Sequence, residues 1–283
     1  MTTLPVDKKV NEVEQLLRMD RMPHIFCSGC GIGPVIGCFV RAVIKAGIDP
    51  DTMAVASGIG CSARAGGYIK VDSFHTTHGR PIAFATGLKV ANPKLNVTVF
   101  SGDGDLATIG GNHLIHAARR NIDMLCICVN NFNYGMTGGQ LGCTTPQSAF
   151  TTTSPYGNFE QPANLPYIMA ACGASYIARW TSLHLRELEN SLYEALNRRG
   201  FKFIEAITPC PTVYGRMNKR PNGLDDMLYY QKKSVVRHGG DIKDAAITLD
   251  SPIIVGKFVD IQYQTYQESQ DDILNKAREK GRI

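Results

Sequence analysis

Two cysteines stand one tight turn apart in the segment CSGCGIG, at positions 27 and 30. An all-cysteine zinc site and a [4Fe-4S] cluster both need four thiolates, so a metal site here takes two more cysteines from elsewhere in the chain. Cys61 in SGIGCSAR and Cys210 in TPCPT are the candidates, because each follows a predicted strand and lies in a turn rich in glycine or proline. The spacing leaves zinc and iron both open. A thioredoxin-type redox pair is disfavoured, since no strand signal precedes the CxxC segment.

The chain has nine cysteines, an odd number that does not suit a complete disulfide framework. Cys126 and Cys128 alternate within an apolar stretch, and Cys38 and Cys172 lie on apolar helical faces. We expect these four to pack in the core, where free cysteine is commonly found. Cys143, in LGCTTP, fits either role.

A second group of polar residues lies in SGDGDLATIGGNH, which starts at Ser101, and in NNFNYGMTGGQ, which starts at Asn130. Glycines on both sides of Asp103 let the backbone approach a diphosphate and leave the carboxylate free to meet a cation. Magnesium prefers oxygen ligands, and one carboxylate, one asparagine amide oxygen and one backbone carbonyl two residues later would supply three. Taken singly, each segment is also compatible with a plain turn, with Asp105 capping a helix.

These residues must be positioned by the elements around them, and apolar patterning predicts four buried strands, at 52–57, 96–102, 123–131 and 201–208. Helical patterns lie beside them, at 33–47, 80–92, 106–120 and 182–200. Strands that alternate with helices indicate an α/β fold, a mostly parallel sheet with helices on both faces. Ligands of such sheets bind at the carboxyl ends of the strands. We therefore expect both groups of residues along one edge of the sheet.

The chain divides into a polar, helical N-terminal lead-in, 1–22, a main domain, 23–211, and a C-terminal extension, 212–283, whose pattern has no clear period. No segment approaches the roughly 20 apolar residues that cross a bilayer, and the N-terminus is too polar for a signal peptide, so we expect a cytoplasmic protein with no membrane contact. The formal net charge is +5, with lysine and arginine scattered, which argues against nucleic acid and allows an acidic protein partner. Residues 216–243 hold seven Lys or Arg and three Asp or Glu, and are the candidate docking region, although a solvated surface is the alternative.

The spacing of the two oxygen-rich segments resembles the bipartite motif of thiamin-diphosphate-dependent enzymes: Gly-Asp-Gly at 102–104, then 25 residues, then Asn-Asn at 130–131. The resemblance implies the thiamin-diphosphate-binding fold and a Mg²⁺ ion held by Asp103, the Asn131 side chain and the Asn133 carbonyl. It places the following residues at the cofactor: Gly102, Asp103, Gly104, Asp105, Asn131, Asn133, Tyr134, Thr137, Gly138, Gly139 and His78.

A wider set of segments resembles the beta subunit of a 2-oxoacid:ferredoxin oxidoreductase, over about residues 23–211. The segments are CSGCGIG, SGIGCS, HTTHGRPIAFATGLKVANP, GDGDLATIGGNH and AARRNIDMLCICVNNFNYGMTGGQ. The resemblance implies a [4Fe-4S] cluster bound by Cys27, Cys30, Cys61 and Cys210. It also implies an alpha subunit, or a gamma-alpha fusion, as partner in an (αβ)2 assembly, with ferredoxin as electron acceptor.

The implied reaction is the coenzyme A-dependent oxidative decarboxylation of a 2-oxoacid, with electrons passing through the cluster to ferredoxin. SGIGCSAR and HGRPIAFATG look closest to the 2-oxoglutarate branch, with pyruvate and branched-chain 2-oxoacids next. His78 and Arg64 are the catalytic candidates, the histidine for proton transfer or cofactor contact and the arginine for the substrate carboxylate. A structural histidine and a solvated arginine are the alternatives, and His75 is the weaker candidate. No glutamate here matches the one that activates the cofactor, which in the family comes from the alpha subunit.

Two other functions stay open on the residues alone. A non-oxidative thiamin-diphosphate decarboxylase or synthase would keep Asp103 and Asn131 and use its cysteines structurally. A zinc-stabilised, non-catalytic binding protein would use the sheet only as a scaffold. The metal bound by the cysteines separates the first function from these two.

Overall fold

A computed structural model describes residues 11–282, and the part of the predicted lead-in that spans residues 1–10 lies outside the described residues. The strands are β1 (Met53–Ser57), β2 (Asp72–His75), β3 (Asn96–Gly102), β4 (Met124–Asn130), β5 (Tyr176–Thr181), β6 (Phe201–Ile207), β7 (Ser234–Val236) and β8 (Ile253–Asp260). They form one sheet in the order β2-β1-β3-β4-β6-β5-β8-β7. Neighbouring strands run parallel except β5 and β8, which pair antiparallel. The predicted mostly parallel sheet is confirmed.

Helices cover both faces of this sheet, as predicted. The α-helices are α1 (Glu12–Gln15), α2 (Ile32–Ala46), α3 (Pro81–Ala91), α4 (Gly111–Arg119), α5 (Leu165–Ala171), α6 (Leu185–Leu196), α7 (Gly223–Lys233) and α8 (Tyr266–Glu279). Helices α2 and α6 pack in the core on one face, and α3, α4 and α5 pack in the core on the other. In the described part of the chain, no helix combines the length and apolar character needed to cross a bilayer.

Shorter helical turns connect these elements. Four are 3₁₀ turns, Met19–Arg21, Pro50–Thr52, Ser62–Gly67 and Ile242–Ala245, and two are π-helical, Gly104–Ile109 and Pro211–Gly215. The helix predicted at 106–120 is therefore a π turn followed by α4. The π turn begins directly after β3, at the carboxyl edge of the sheet, where π turns frequently mark functional sites.

The four predicted strands are present, each within one residue of its predicted ends. Cys126 and Cys128 are fully buried in β4, Cys38 is fully buried in α2, and half-buried Cys172 packs against the core at the end of α5. None of the nine cysteines forms a disulfide bond.

The C-terminal extension, 212–283, differs from its predicted irregular form. It contributes α7, α8 and two strands of the sheet. Gly256 and Lys257 interrupt the apolar run of β8, and the pairing of β8 with β5 has a register shift, so the sequence of this strand shows no clean period. The domain boundaries stay a prediction.

Candidate functional site

Asp105 joins the segments that follow three neighbouring strands. Its Oδ1 accepts hydrogen bonds from Gly79 N (2.7 Å), Ile59 N (3.1 Å) and His78 Nδ1 (2.6 Å), and its Oδ2 accepts one from the Ser101 hydroxyl (2.8 Å). The side chain is buried. Four protein groups, His78 among them, thus occupy the Asp105 carboxylate, and its contact with the cofactor stays a prediction.

A polar cavity of about 50 Å³ opens at the carboxyl ends of β1, β3 and β4. Nine of the predicted cofactor residues line it, namely Gly102, Asp103, Gly104, Asp105, Asn131, Asn133, Tyr134, Thr137 and His78. The Tyr134 ring packs edge-on to the His78 ring, with centroids 5.9 Å apart. A Cβ on Gly104 would stand 2.5 Å from the Tyr134 ring, so a glycine is needed at this position.

Asp103 is a buried carboxyl group that lines this cavity, with an exposed fraction of 1%. Its Oδ2 accepts a hydrogen bond from the Thr144 hydroxyl (2.5 Å), and its Oδ1 lies 3.5 Å from Asn131 N. Burial raises the pKa of Asp103 to about 6, although these hydrogen bonds oppose the shift. A buried carboxylate that pays this desolvation cost is suited to a cation, which would replace the lost hydration.

The turn after β4 brings two asparagines to the same cavity. The Asn133 amide donates to the Asn131 backbone oxygen at 2.7 Å and faces Asn131 Oδ1 at 3.4 Å. Phe132 between them has a φ of +64°, in the left-handed region that non-glycine residues rarely adopt. One carboxylate, one side-chain amide oxygen and a backbone carbonyl form a donor set of the kind that magnesium prefers.

Gly138 and Gly139 shape the next turn and do not line the cavity. Their φ angles are +114° and +88°, and their N–H groups bond to the carbonyls of Gly135 and Tyr134. A Cβ on Gly139 would stand 2.0 Å from Val213. The wall that faces the cavity is instead formed by residues 135–137.

The four predicted cysteine ligands line a second cavity, of about 210 Å³. They are Cys27, Cys30, Cys61 and Cys210, of which Cys27 is exposed and the others half-buried. Burial is the main cause that raises the pKa of Cys30 to about 12; an N–H bond from Ile32 opposes it, and the other three thiols add to it. Roughly 10–15 Å³ of such space holds one water molecule, so this cavity has room for a larger group.

The turn that carries Cys27 and Cys30 packs closely against the start of helix α7. Cys30 N donates to the Cys27 carbonyl at 3.0 Å, and Gly29 has a φ of +78°. A Cβ on Gly29 would stand 2.9 Å from the Cα of Gly223, the first residue of α7. The C-terminal part of the chain therefore supports the cysteine turn directly.

The two cavities share a wall of four residues, Cys61, Asn131, Gly135 and Met136. Cys210 Sγ lies 3.9 Å from the Asn133 side-chain oxygen, across the same boundary. Groups bound in the two cavities would be separated by about one side chain. The arrangement suits transfer of electrons from one site to the other.

Arg64 lies outside the two cavities described above. With His75 it lines a separate cavity of about 160 Å³, and its side chain is exposed. The structure therefore does not bring Arg64 to the cavity that holds Asp103, and its contact with substrate stays a prediction.

Three groups in this region were missed by sequence reasoning. Thr144, which bonds Asp103, stands 41 residues beyond it in a loop with no motif. Met136 is an ordinary apolar residue whose place in the shared wall depends on the fold of its turn. Glu205 is a charged residue inside a buried strand, and that exception to the apolar pattern was the signal available.

Comparison with known proteins gives a consistent set of similarities. Residues 51–206 match the thiamine pyrophosphate enzyme, C-terminal TPP binding domain. The chain is 52% identical over 252 residues to the 2-oxoglutarate synthase subunit KorB of Methanothermobacter marburgensis, covering 89% of this chain and 88% of that subunit. It is 48% identical over 263 residues to the KorB subunit of Methanocaldococcus jannaschii, covering 93% and 97%.

Among solved structures, the chain is similar to a 2-oxoglutarate:ferredoxin oxidoreductase from Magnetococcus marinus with 2-oxoglutarate, coenzyme A and succinyl-CoA bound. The TM-score is 0.84 at 29% identity, and the match covers 95% of this chain and 91% of the other. The similarity therefore extends over most of both chains.

Proposed function

The chain belongs to the family of 2-oxoacid:ferredoxin oxidoreductase beta subunits and contains its thiamine pyrophosphate-binding domain, and from this premise we propose that it acts on 2-oxoglutarate. The reaction is oxidative decarboxylation with coenzyme A, which gives succinyl-CoA, CO₂ and two electrons for ferredoxin. The observation that carries the oxidative reaction is the wall shared by the polar cavity and the four-cysteine cavity, and the substrate is inferred from the KorB relatives. A thiamin enzyme without redox chemistry has no need of this juxtaposition.

Thiamin diphosphate, when bound, supplies the electron sink for loss of CO₂, and an iron–sulfur cluster supplies the one-electron acceptor beside it. The residues of this chain bind and orient these groups. Asp103, the Asn131 side chain and the Asn133 carbonyl would hold Mg²⁺, and the diphosphate and water would complete its shell. Residues 135–137 would line the diphosphate, and the fixed Asp105 bond leaves His78 Nε2 as the nitrogen for proton transfer.

The cysteine geometry favours a cluster over zinc. A single zinc ion, about 2.3 Å from four thiolates, would draw the sulfurs to about 3.8 Å from one another. A [4Fe-4S] cluster takes each thiolate to a different iron and so holds the sulfurs farther apart. Four thiols around one roomy cavity support that assignment.

An alpha subunit would complete the active site, since the activating glutamate of the family has no match in this chain. Two aromatic residues, Tyr156 and Phe159, are 97% and 84% exposed in the loop that also carries Thr144. Because Thr144 bonds Asp103, this loop connects the cavity to a surface of the kind that subunits bury. We expect the alpha subunit to cover it, in an (αβ)2 assembly.

Ferredoxin would dock near the exposed cysteine turn. Helix α7 begins against that turn, and residues 216–243 around it have seven basic and three acidic residues. A basic surface beside the electron exit suits an acidic carrier, and the attraction weakens as salt screens it. The apparent Km for ferredoxin should therefore rise steeply with ionic strength, and a Km that salt leaves unchanged would contradict this docking.

Anaerobic purification with the co-expressed alpha subunit tests the function. We expect a brown complex with iron and sulfide in the ratio of one four-iron cluster per beta chain, whose colour is bleached by 2-oxoglutarate plus coenzyme A. Pyruvate and branched-chain 2-oxoacids, at equal concentration, serve as the substrate controls. A colourless complex that contains zinc would overturn the proposal, and bleaching only by another 2-oxoacid would overturn the substrate.

A further inference from the structure

A buried ion pair is bonded, through Asn130, to the turn 131–133 that follows β4 and would hold the magnesium ion of the proposed function. Arg179 of β5 and Glu205 of β6 meet with Nε and Oε2 2.6 Å apart, and the exposed fraction of each side chain is 1%. Taking two charges out of water is costly, and apolar replacements of such pairs are often equally stable or more so. Stability alone is therefore a weak reason for this pair.

The pair is directed at the turn that carries Asn131 and Asn133. The second carboxylate oxygen of Glu205, Oε1, accepts a hydrogen bond from the Asn130 amide at 2.7 Å. Asn130 Oδ1 in turn accepts one from Phe132 N at 3.0 Å. Phe132 is the residue with the left-handed φ of +64°, a conformation that surrounding bonds must maintain. This series of hydrogen bonds thus ends at the backbone of Phe132, between Asn131 and Asn133.

The other end of this series of hydrogen bonds, at Arg179, is also fixed. Arg179 Nη1 donates to the carbonyl of Ala245, a fully buried residue in the turn Ile242–Ala245. Asn164 holds the same turn through bonds to the carbonyls of Ile242 and Lys243. The arginine therefore has little freedom to move, and neither has the carboxylate bonded to it.

We propose, given the magnesium site of the proposed function, that Arg179 and Glu205 are positioning residues that fix Asn130 and thereby set the geometry of the metal loop. Neither side chain lines the polar cavity. They act through Asn130, which holds Phe132 in the conformation that presents the Asn131 amide oxygen and the Asn133 carbonyl to one ion. Groups that orient metal ligands in this way typically contribute 10–100-fold to metal affinity.

The direction of the hydrogen bonds makes the carboxylate essential. Arg179 and the Asn130 amide both donate, so the group between them must accept on two sides. A glutamine at 205 accepts on one side only, and it leaves the buried arginine without a counter-charge. Changing Arg179 to methionine at the same time removes that charge, and the glutamine oxygen is then free to accept from Asn130.

The test is a Mg²⁺ titration by calorimetry at saturating thiamin diphosphate, on the complex purified with its alpha subunit. We expect Asn130→Ala and Glu205→Gln each to raise the dissociation constant for Mg²⁺ by about 10–100-fold. The double variant Glu205→Gln/Arg179→Met should recover most of that affinity. Thermal unfolding of each complex, recorded without Mg²⁺, reports stability separately.

Lys202→Met is the matched control. Lys202 is also in β6, is also buried, and also forms an ion pair of 2.6 Å, with Asp123, but at the opposite end of the strand. This variant should lose thermal stability and keep its Mg²⁺ affinity. Asn130→Ala with unchanged affinity, or Lys202→Met with an equal loss, would overturn the positioning role. Wild-type complex that binds no Mg²⁺ with thiamin diphosphate would instead overturn the metal site itself.

Discussion

Replacing Asp105 with alanine removes the acceptor that joins the segments after β1, β2 and β3. Two backbone N–H groups, of Ile59 and Gly79, and the Ser101 hydroxyl would lose their partner inside the protein. His78 would lose the group that fixes its ring. Because the Asp105 side chain is buried, water reaches these donors poorly.

The size of the effect follows from the number of donors. Each buried donor left unpaired costs about 1–3 kcal/mol, so three cost roughly 3–9 kcal/mol. A water molecule admitted to the vacated space would restore part of this, and we expect the free energy of unfolding to fall by about 3–5 kcal/mol. That is a large share of the 5–15 kcal/mol typical of a folded domain.

Asp105→Asn is the matched variant. Its Oδ1 still accepts from Ile59, Gly79 and His78, and its amide can donate to the Ser101 oxygen in place of the original bond. Only the Ser101 hydroxyl proton then needs a new acceptor, and we expect a loss below about 1.5 kcal/mol. The difference between the two variants isolates the hydrogen bonds from the change of side-chain charge.

Urea unfolding of the reduced, metal-free chain measures both variants. Trp180, the single tryptophan, is buried in β5, donates a hydrogen bond to Ser191 of α6, and reports the transition by fluorescence. Equal losses for alanine and asparagine would refute the assigned role, because the charge and not the bonds would then matter. A loss under 1 kcal/mol for alanine would refute it as well, since three unpaired donors cost about 3 kcal/mol at least.

Three further predictions concern the same region. Gly58→Ala should destabilise the chain by about 1–3 kcal/mol, because its Cβ would stand 2.0 Å from the fixed Asp105 carboxylate. Gly87→Ala, in the open middle of α3, should stabilise the chain by about 0.5–1 kcal/mol, and equal urea midpoints for the two variants would contradict this. The pKa of Asp103 is raised to about 6 in the folded chain, against about 3.9 in the unfolded chain. Between these two pH values the metal-free folded state therefore binds more protons than the unfolded state. Its stability should therefore fall by about 3 kcal/mol as pH rises from 4 to above 6, and Asp103→Asn, compared at each pH by urea unfolding, should lack this fall; parallel pH profiles would rule the shift out. Cys61→Ala should lose iron from the anaerobic complex while Cys172→Ala, at the end of α5, keeps it, and full iron in Cys61→Ala would refute the ligand set.

Much of the fold could be predicted because its central strands are simple. Strands β1, β3, β4 and β6 are almost wholly buried and read as continuous apolar runs between turn residues. Strand β2 is exposed throughout and carries no such signal, and β5 contains Arg179, whose charge is paired only in three dimensions. These two strands form because of their neighbours in the folded sheet, and a single sequence does not show those neighbours.

The candidate site was predicted to a similar degree. Asp103, Asn131 and the four cysteines come together because each follows a strand in one parallel sheet or lies in a turn packed against that edge. Arg64 was expected beside them, but the turn Ser62–Gly67 directs it to a different cavity. Asp105 was also expected at the cofactor; it lines the polar cavity, four protein groups occupy its carboxylate, and its contact with the cofactor stays a prediction.

The shared wall between the two cavities limits how this enzyme could diversify. A substitution in that wall would alter substrate fit and the surroundings of the cysteine thiols together, so neither property could be selected alone. Adaptation to a new substrate should proceed through positions that face only the polar cavity, such as Ile59 and Ser62. Adjustment of reduction potential to a different electron carrier should proceed through positions that face only the cysteines, such as Phe26 and Val213.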